Sequence, residues 1–101
     1  MQVNKNMKTL IIIPAYNEGE NLPRLFESLK NIEGDLDILV INDCSKDNTE
    51  AVCISHGINV VSLPVNLGIG GAVQTGYLYA LYHDYDIAIQ IDGDGQHDPK
   101  F

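Results

Sequence analysis

Four short apolar segments alternate along this chain with longer segments of helical character, and this alternation restricts the fold more than any other feature. The apolar segments are Thr9 to Pro14, Leu36 to Asn42, Ile58 to Leu63 and Asp86 to Ile91. Such alternation is typical of βαβ units, which build a parallel sheet covered by helices. The first segment is apolar throughout, which predicts a strand that is buried on both faces and ends at Pro14. We therefore predict an α/β domain over residues 9–101, preceded by a polar segment at residues 1–8.

The intervening segments predict three helices. Glu18 to Asn31 carries apolar residues at helical spacing, with a proline that a first turn accepts. A second helix is predicted to follow the polar residues 43–49 and to run to about His56, with Gly57 as its C-terminal stop. A third is predicted over Ala72 to Tyr82, after a glycine-rich turn. The core residues of the first helix are expected to be Leu22, Leu25, Phe26 and Leu29.

The glycine-rich turn at residues 66–71 does not fit the dinucleotide-binding fingerprint. That fingerprint needs glycine at the first, third and sixth positions, directly after the first strand. Counted from Gly68, the sixth position is Val73, and the turn follows the third predicted strand. This spacing excludes a nicotinamide-dependent dehydrogenase. The turn remains a backbone bend at a helix N-terminus, which is usable for phosphate binding or simply for packing.

Polar side chains follow the first, second and fourth predicted strands. In an open parallel sheet the carboxyl ends of the strands meet at one edge, and ligands bind there. Tyr16 offers an aromatic face and a hydroxyl, while Glu18 and Asp43 can accept hydrogen bonds from ribose or nucleobase groups. Two simpler interpretations stay open: Glu18 acts only on the dipole of the following helix, and Asn42 and Asp43 form an ordinary turn.

The segment Asp92 to Pro99 follows the fourth predicted strand. Side chains two apart in an extended chain point the same way, so Asp92 and Asp94, with Gln96 if the chain stays extended, converge on one point. Three oxygen ligands suit Mg²⁺ or Mn²⁺. On these residues alone a turn is an equally good interpretation, since Asp and Gly form turns. A calcium loop of the EF-hand type is rejected, because His97 occupies the sixth position, where that loop needs glycine.

The net charge of the chain helps to choose between a metal site and a simple turn at Asp92 to Pro99. Six basic and fourteen acidic side chains give the 101 residues a formal net charge of −8, which argues against nucleic acid as a partner. A phosphate-bearing ligand would need local positive charge, and five carboxylates within the last eighteen residues make a bound cation its natural source. Two of the five, Asp84 and Asp86, are interpreted instead as solvated charges at a strand edge. Cys44 and Cys53 form neither a disulfide framework nor a zinc pattern, and we expect reduced thiols in a cytosolic protein. The longest apolar run, Leu10 to Ile13, is too short to span a bilayer.

Four sequence motifs follow one another along the chain in a recognisable order. They are Leu10 to Glu18, Leu39 to Thr49, Asn66 to Ala72 and Asp92 to Pro99. In this order and spacing they resemble the signatures of family 2 glycosyltransferases with the GT-A fold, and the nearest likeness is to the dolichyl-phosphate mannosyltransferase-like branch. The resemblance spans nearly the whole chain from Thr9. It implies the N-terminal, donor-binding portion of such an enzyme: a three-layer, open, mostly parallel, Rossmann-like sheet of four strands in the order 3-2-1-4.

The resemblance also assigns roles to residues. The implied donor is a GDP- or UDP-sugar, the implied cofactor is Mg²⁺ or Mn²⁺, and the implied acceptor is a polyprenyl phosphate lipid. The residues expected to bind the donor are Pro14, Ala15, Tyr16, Glu18, Asp43, Gly70 and Asp92. The residues expected to hold the divalent cation, which bridges the donor diphosphate, are Asp92, Asp94 and Gln96.

Two departures from the family pattern qualify these expectations. Asn42 and Cys44 stand where the family often has aspartate and glycine. The family also needs more chain for the acceptor site, so the catalytic base is expected beyond Phe101 and the 101 residues alone are expected to be inactive. An alternative is a non-catalytic, truncated binding or assembly module whose exposed sheet edge pairs with a second copy. We expect a cytoplasmic location, at the cytoplasmic face of the membrane in the full-length protein.

Overall fold

The computed structural model describes residues 7–32 and 34–93 as one four-stranded parallel sheet with three helices. The strand order is β3-β2-β1-β4, which confirms the predicted order, and all three strand pairs are parallel. The elements are β1 (Thr9–Ala15), α1 (Leu22–Lys30), β2 (Leu36–Asn42), α2 (Thr49–Ser55), β3 (Asn59–Ser62), α3 (Gly68–Tyr82) and β4 (Ile87–Gln90). Among the described residues, no helix is long and apolar enough to cross a membrane.

β1 lies in the interior of the sheet, and all seven of its residues are buried. Its side chains alternate between two apolar clusters, as expected for a strand covered on both faces. Ile11 and Ile13 pack with α1 and α2, whereas Leu10 and Ile12 pack with α3. The sheet is therefore the middle of three layers, as predicted.

Pro14 does not end β1, and the prediction that it would was wrong by one residue. The carbonyl of Ile12 accepts the backbone N–H of Ile91 on the β4 side, while the carbonyl of Ala15 accepts that of Asp43 on the β2 side. The backbone N–H and C=O groups of even-numbered β1 residues thus point toward β4. The last β4 residue that pairs with β1 is Gln90, opposite Ile12. Because Pro14 lies past that point, its missing N–H removes no hydrogen bond between the strands.

The other strand boundaries were predicted closely. β2 has the predicted bounds, whereas β3 and β4 are each one residue shorter at both ends than expected. Gly57 has a φ of 69° directly after the C-cap of α2, which confirms the predicted stop.

The start of α1 was predicted four residues too early, at Glu18 instead of Leu22. The backbone N–H groups of Asn17 and Gly19 bind side chains of the β2–α2 loop, and that of Glu18 binds the side chain of Thr49, the first residue of α2. These contacts hold the segment outside the helix. The four predicted core residues of α1 are buried as expected.

The start of α3 was predicted four residues too late, at Ala72 instead of Gly68. The glycines at positions 68, 70 and 71 therefore belong to the helix and do not form a separate turn. Gly68, its first residue, has a φ of 79°, a left-handed conformation that glycine adopts without a steric penalty. α3 packs on the sheet through a stripe of small residues, Ala72, Gly76 and Ala80.

Candidate functional site

A cleft of about 230 Å³ opens at the carboxyl edge of the sheet. Strand ends and the first turns of α3 form its walls, which is the position where open parallel sheets bind ligands. Its lining residues are Pro14, Ala15, Tyr16, Glu18, Asp43, Ile69, Ala72, Asp92 and Gly93. The volume is below the roughly 300–1,000 Å³ of a complete small-molecule site, so these residues form part of a site for a larger ligand.

Asp43 is the most deeply placed carboxylate of the cleft, with 4% of its surface exposed. One carboxylate oxygen accepts the backbone N–H of Leu67 at 2.7 Å, and the other accepts that of Gly68 at 2.9 Å. Asp43 therefore caps the N-terminus of α3 from the end of β2. Each carboxylate oxygen has a further lone pair, so this capping leaves room for a hydrogen bond from a ligand N–H.

The turn at Asp43 tolerates both departures from the family pattern. Asn42 uses both ends of its amide: it donates to Ser62 Oγ at 3.0 Å and accepts the Ser45 backbone N–H at 3.1 Å. Cys44 has a φ of 60°, in the left-handed region that favours glycine, which explains why a glycine suits this position. Cys44 thus keeps a glycine-like backbone at some steric cost.

Tyr16 and Glu18 lie on the loop that follows β1. Tyr16 is 44% exposed at the cleft, so its ring and hydroxyl are accessible to a ligand. Glu18 is half-buried, and its carboxylate accepts a hydrogen bond from Asn21 Nδ2 at 2.9 Å. Asn21 is the N-cap residue of α1, so Glu18 lies at the N-terminus of this helix as well as at the cleft.

Asp92 reaches the cleft because the chain continues past β4 along β1. The Ile91 backbone N–H binds the Ile12 carbonyl at 3.0 Å, which places the next residues beside Pro14. Gly93 is buried there, and a Cβ at this position would lie 3.1 Å from the Pro14 carbonyl oxygen. A side chain at Gly93 would therefore be crowded and would require the neighbouring atoms of β1 to shift by a few tenths of an ångström.

Three carboxylates line the cleft, and none of its described lining residues is basic. An anionic ligand would be repelled there unless a cation neutralised the site. Carboxylate oxygens are the ligands that Mg²⁺ and Mn²⁺ prefer, so Asp92 is a suitable ligand type for a divalent ion. Of the three predicted metal ligands only Asp92 lies within the described residues, while Asp94 and Gln96 lie outside them. Within residues 7–32 and 34–93, no three His, Cys, Asp or Glu side chains converge to hold a metal.

The structure brings most of the predicted site residues to one cleft. It places together Pro14, Ala15, Tyr16, Glu18, Asp43 and Asp92. Gly70, the other described candidate, is exposed in the first turn of α3 but does not line the cleft. Sequence reasoning missed Ile69 and Ala72, which do line it. Their signal was the glycine run itself, because a helix that begins at Gly68 turns these two residues toward the ends of the strands.

Neither cysteine shows the features of a nucleophile. Burial and the neighbouring charge of Glu50 raise the pKa of the Cys53 thiol to about 11, so this thiol stays protonated at neutral pH. The Cys44 thiol lies 3.6 Å from the Pro64 carbonyl oxygen and donates a weak hydrogen bond to it.

Comparison with known proteins identifies the family. The sequence model described as Glycosyl transferase family 2 matches residues 10–101. The chain belongs to this family. An undecaprenyl-phosphate mannosyltransferase from Micrococcus luteus is 33% identical over 99 residues, which cover 93% of this chain and 41% of that protein. The polyprenol monophosphomannose synthase of Mycolicibacterium smegmatis is 32% identical over 104 residues, which cover 97% of this chain and 39% of that protein.

Solved structures of other proteins share the fold. The glucosyl-3-phosphoglycerate synthase of Mycobacterium tuberculosis, in complex with Mn²⁺, UDP and glucosyl-3-phosphoglycerate, superposes with a TM-score of 0.70 at 26% identity. The match covers 87% of this chain and 34% of that chain. The sheet described above is thus the GT-A sheet, as the motifs predicted. The chain spans about two fifths of the length of the two curated relatives.

Proposed function

We propose that this chain is the nucleotide-sugar-binding part of a divalent-metal-dependent glycosyltransferase. The observation that carries the proposal is the convergence of Tyr16, Glu18, Asp43 and Asp92 on one acidic cleft at the carboxyl edge of the sheet. Membership of family 2 supports it, as does the relative structure that holds Mn²⁺ together with UDP.

The role proposed for each residue follows from its position in the cleft. Tyr16, Glu18 and Asp43 lie at the ends of β1 and β2 and would bind the nucleoside of a GDP- or UDP-sugar through hydrogen bonds and ring contacts. Asp92, with Asp94 and Gln96 from the sequence motif, would hold Mg²⁺ or Mn²⁺. The ion supplies positive charge to the donor diphosphate and stabilises it as a leaving group. Gly70 remains a candidate for the phosphate region, because it lies in the first turn of α3.

The proposed acceptor is a polyprenyl phosphate. The names of two relatives, undecaprenyl-phosphate mannosyltransferase and polyprenol monophosphomannose synthase, support this substrate class. A lipid acceptor implies that the full-length protein works at a membrane, and we place it at the cytoplasmic face, where nucleotide-sugars would reach it. The catalytic base is expected beyond Phe101, as the sequence resemblance implied.

A second candidate function is a binding or assembly module without turnover. Within the described residues β4 pairs only with β1, so its other edge is open to a further strand. Such a module would bind the donor or a second copy without transferring a sugar.

The donor site is tested by calorimetric titration of the 101-residue chain with UDP and with GDP, each with and without Mn²⁺. We expect one nucleotide to bind more tightly with the metal, and Asp94→Ala to lose that metal-dependent gain, by about tenfold or more. Asp35→Ala is the matched control, because Asp35 is exposed and precedes β2 at the opposite edge of the sheet. Equal binding by Asp94→Ala and the unmodified chain in Mn²⁺ would contradict the cation site.

A further inference from the structure

Two loops at the mouth of the cleft are joined by side-chain hydrogen bonds. The first loop, residues 16–21, follows β1 and carries Tyr16 and Glu18, while the second, residues 43–48, follows β2. Ser45 Oγ accepts the Asn17 backbone N–H at 2.9 Å, and Asn17 Oδ1 accepts the Lys46 backbone N–H at 2.8 Å. The loops therefore hold each other in a fixed relative position.

Asp47 is the centre of this contact, and its two carboxylate oxygens bind different elements. Oδ1 accepts the Thr49 backbone N–H at 3.0 Å and a short hydrogen bond from the Thr49 hydroxyl. Oδ2 accepts the Gly19 backbone N–H at 3.1 Å, across to the first loop. Thr49, which is fully buried, completes the link by accepting the Glu18 backbone N–H on Oγ1 at 3.1 Å.

Side chains of the second loop occupy the space next to Gly19. A Cβ at this position would lie 2.2 Å from Asn48 Oδ1 and 3.1 Å from Asp47 Oδ2. Gly19 is buried although it belongs to a surface loop. The first loop is thus pressed against the second at the residue that directly follows Glu18.

Capping of α2 alone does not account for this arrangement. A cap needs only the oxygen that binds Thr49 at the start of α2, and Oδ1 serves there. The other oxygen, Oδ2, is bound 28 residues away in sequence at Gly19. Burial by itself would raise the pKa of the Asp47 carboxyl, but the hydrogen bonds from Thr49 and Gly19 outweigh it and lower that pKa. The carboxylate is therefore ionised at neutral pH, as an acceptor of several N–H and O–H groups should be.

We propose that Asp47 is a positioning residue: it holds the loop that carries Tyr16 and Glu18 so that both side chains face the nucleoside of the donor. This inference rests on the proposed function, because it assigns the loop a task in donor binding. Asp47 does not line the cleft and is not expected to touch the donor.

The test combines one measurement without ligand and one with it. Asp47→Asn keeps the shape of the side chain but replaces one of its two acceptor oxygens with an NH₂ group, which cannot accept a hydrogen bond. The variant can therefore no longer accept the N–H groups of both Gly19 and Thr49 on separate oxygens. We expect the Gly19 amide to exchange faster with solvent in the ligand-free variant, and nucleotide affinity in Mn²⁺ to fall by about tenfold. Asp35→Asn is the control at an exposed position and should change neither quantity.

Two further variants separate positioning from a general loss of structure. Thr49→Val removes the hydroxyl that joins Asp47 to Glu18, whereas Thr49→Ser retains a hydroxyl at this position. We expect the valine variant to lose nucleotide affinity and the serine variant to keep most of it. Amide chemical shifts of β1 and β2 that match the unmodified protein would show that the sheet is intact.

The outcomes distinguish this inference from the proposed function. If Gly19 exchange is unchanged in Asp47→Asn, Asp47 does not hold the loop and the inference is wrong. Faster exchange with unaltered nucleotide affinity would overturn the link to donor binding. If the unmodified protein binds neither UDP nor GDP with Mn²⁺, the proposed function and the donor role of the loop both fail, while the exchange measurement still decides whether Asp47 holds it.

Discussion

Gly76 marks the closest approach of α3 to the sheet. It is buried between Ala72 and Ala80 on the stripe that packs against β1. A Cβ at this position would lie 2.4 Å from Cγ2 of Ile12, which is itself fully buried. We expect Gly76→Ala to lower the free energy of unfolding by about 1–3 kcal/mol, the usual cost of overpacking a tight core. Urea denaturation followed by circular dichroism measures this change.

Gly70 provides the matched control on the same helix. A Cβ there would meet nothing within 4 Å, so only the helix propensity changes. Gly70→Ala is expected to leave stability unchanged or to raise it by up to about 1 kcal/mol. If the two variants unfold at the same urea concentration, the close packing of α3 on Ile12 is wrong.

At the scale of single residues, the sequence predicted those candidates that lie within two residues of the end of a strand. Tyr16, Asp43 and Asp92 could be placed together because the carboxyl ends of parallel strands share one edge. Ile69 was missed, because its place in the cleft depends on where α3 begins and that start was predicted four residues too late. The second role of Asp43, as a cap, was also missed, since its partners lie 24 and 25 residues further along the chain.

At the scale of elements, α3 depends on β2 for its N-terminal cap. Leu67, the N-cap residue by position, makes no side-chain hydrogen bond to the helix, and the Asp43 carboxylate supplies the acceptors instead. Asp43→Ala leaves the Leu67 and Gly68 backbone N–H groups without these acceptors, so we expect a loss of about 1–2 kcal/mol of stability. Thermal and urea unfolding in the absence of nucleotide measure this loss separately from any loss of binding.

Asp43→Asn refines the same prediction. The asparagine amide retains one acceptor oxygen. The free energy of unfolding of this variant should therefore lie between those of the alanine variant and the unmodified protein. Asp35→Ala, at an exposed position, should change the free energy of unfolding by less than about 0.5 kcal/mol. An Asp43→Ala variant as stable as this control would show that β2 does not cap α3.

The boundaries of the elements show why local patterns locate some of them and not others. β2 could be predicted to the residue, because its apolar run ends at polar turn residues. The starts of α1 and α3 were each misplaced by four residues. In both cases the deciding hydrogen bonds come from a distant part of the chain: residues 45–49 hold the segment before α1, and Asp43 binds the start of α3. Such contacts join distant parts of the chain and leave no local signal.

At the scale of the whole molecule, the strand order places the cation motif at one side of the sheet. β4 is an edge strand within the described residues, and Asp92 lies two residues after its last residue, Gln90. Ile89 on this strand is 44% exposed, and among the described residues no strand pairs with this edge of β4. The second candidate function, an assembly module, rests on this edge, because an open apolar edge is a template for pairing with another chain.

We expect the 101-residue chain to self-associate through β4 as its concentration rises, and Ile89→Lys to reduce this association. A charged side chain disfavours pairing at an edge strand. The substitution also brings the net charge of −8 closer to zero, which by itself would favour association, so a decrease would reflect the edge and not the charge. Asn59→Lys, at an exposed position of the other edge strand β3, makes the same charge change and is the control. Sedimentation velocity over a concentration series decides: a monomer at every concentration, or equal effects of the two lysines, would remove the support for an assembly role through β4.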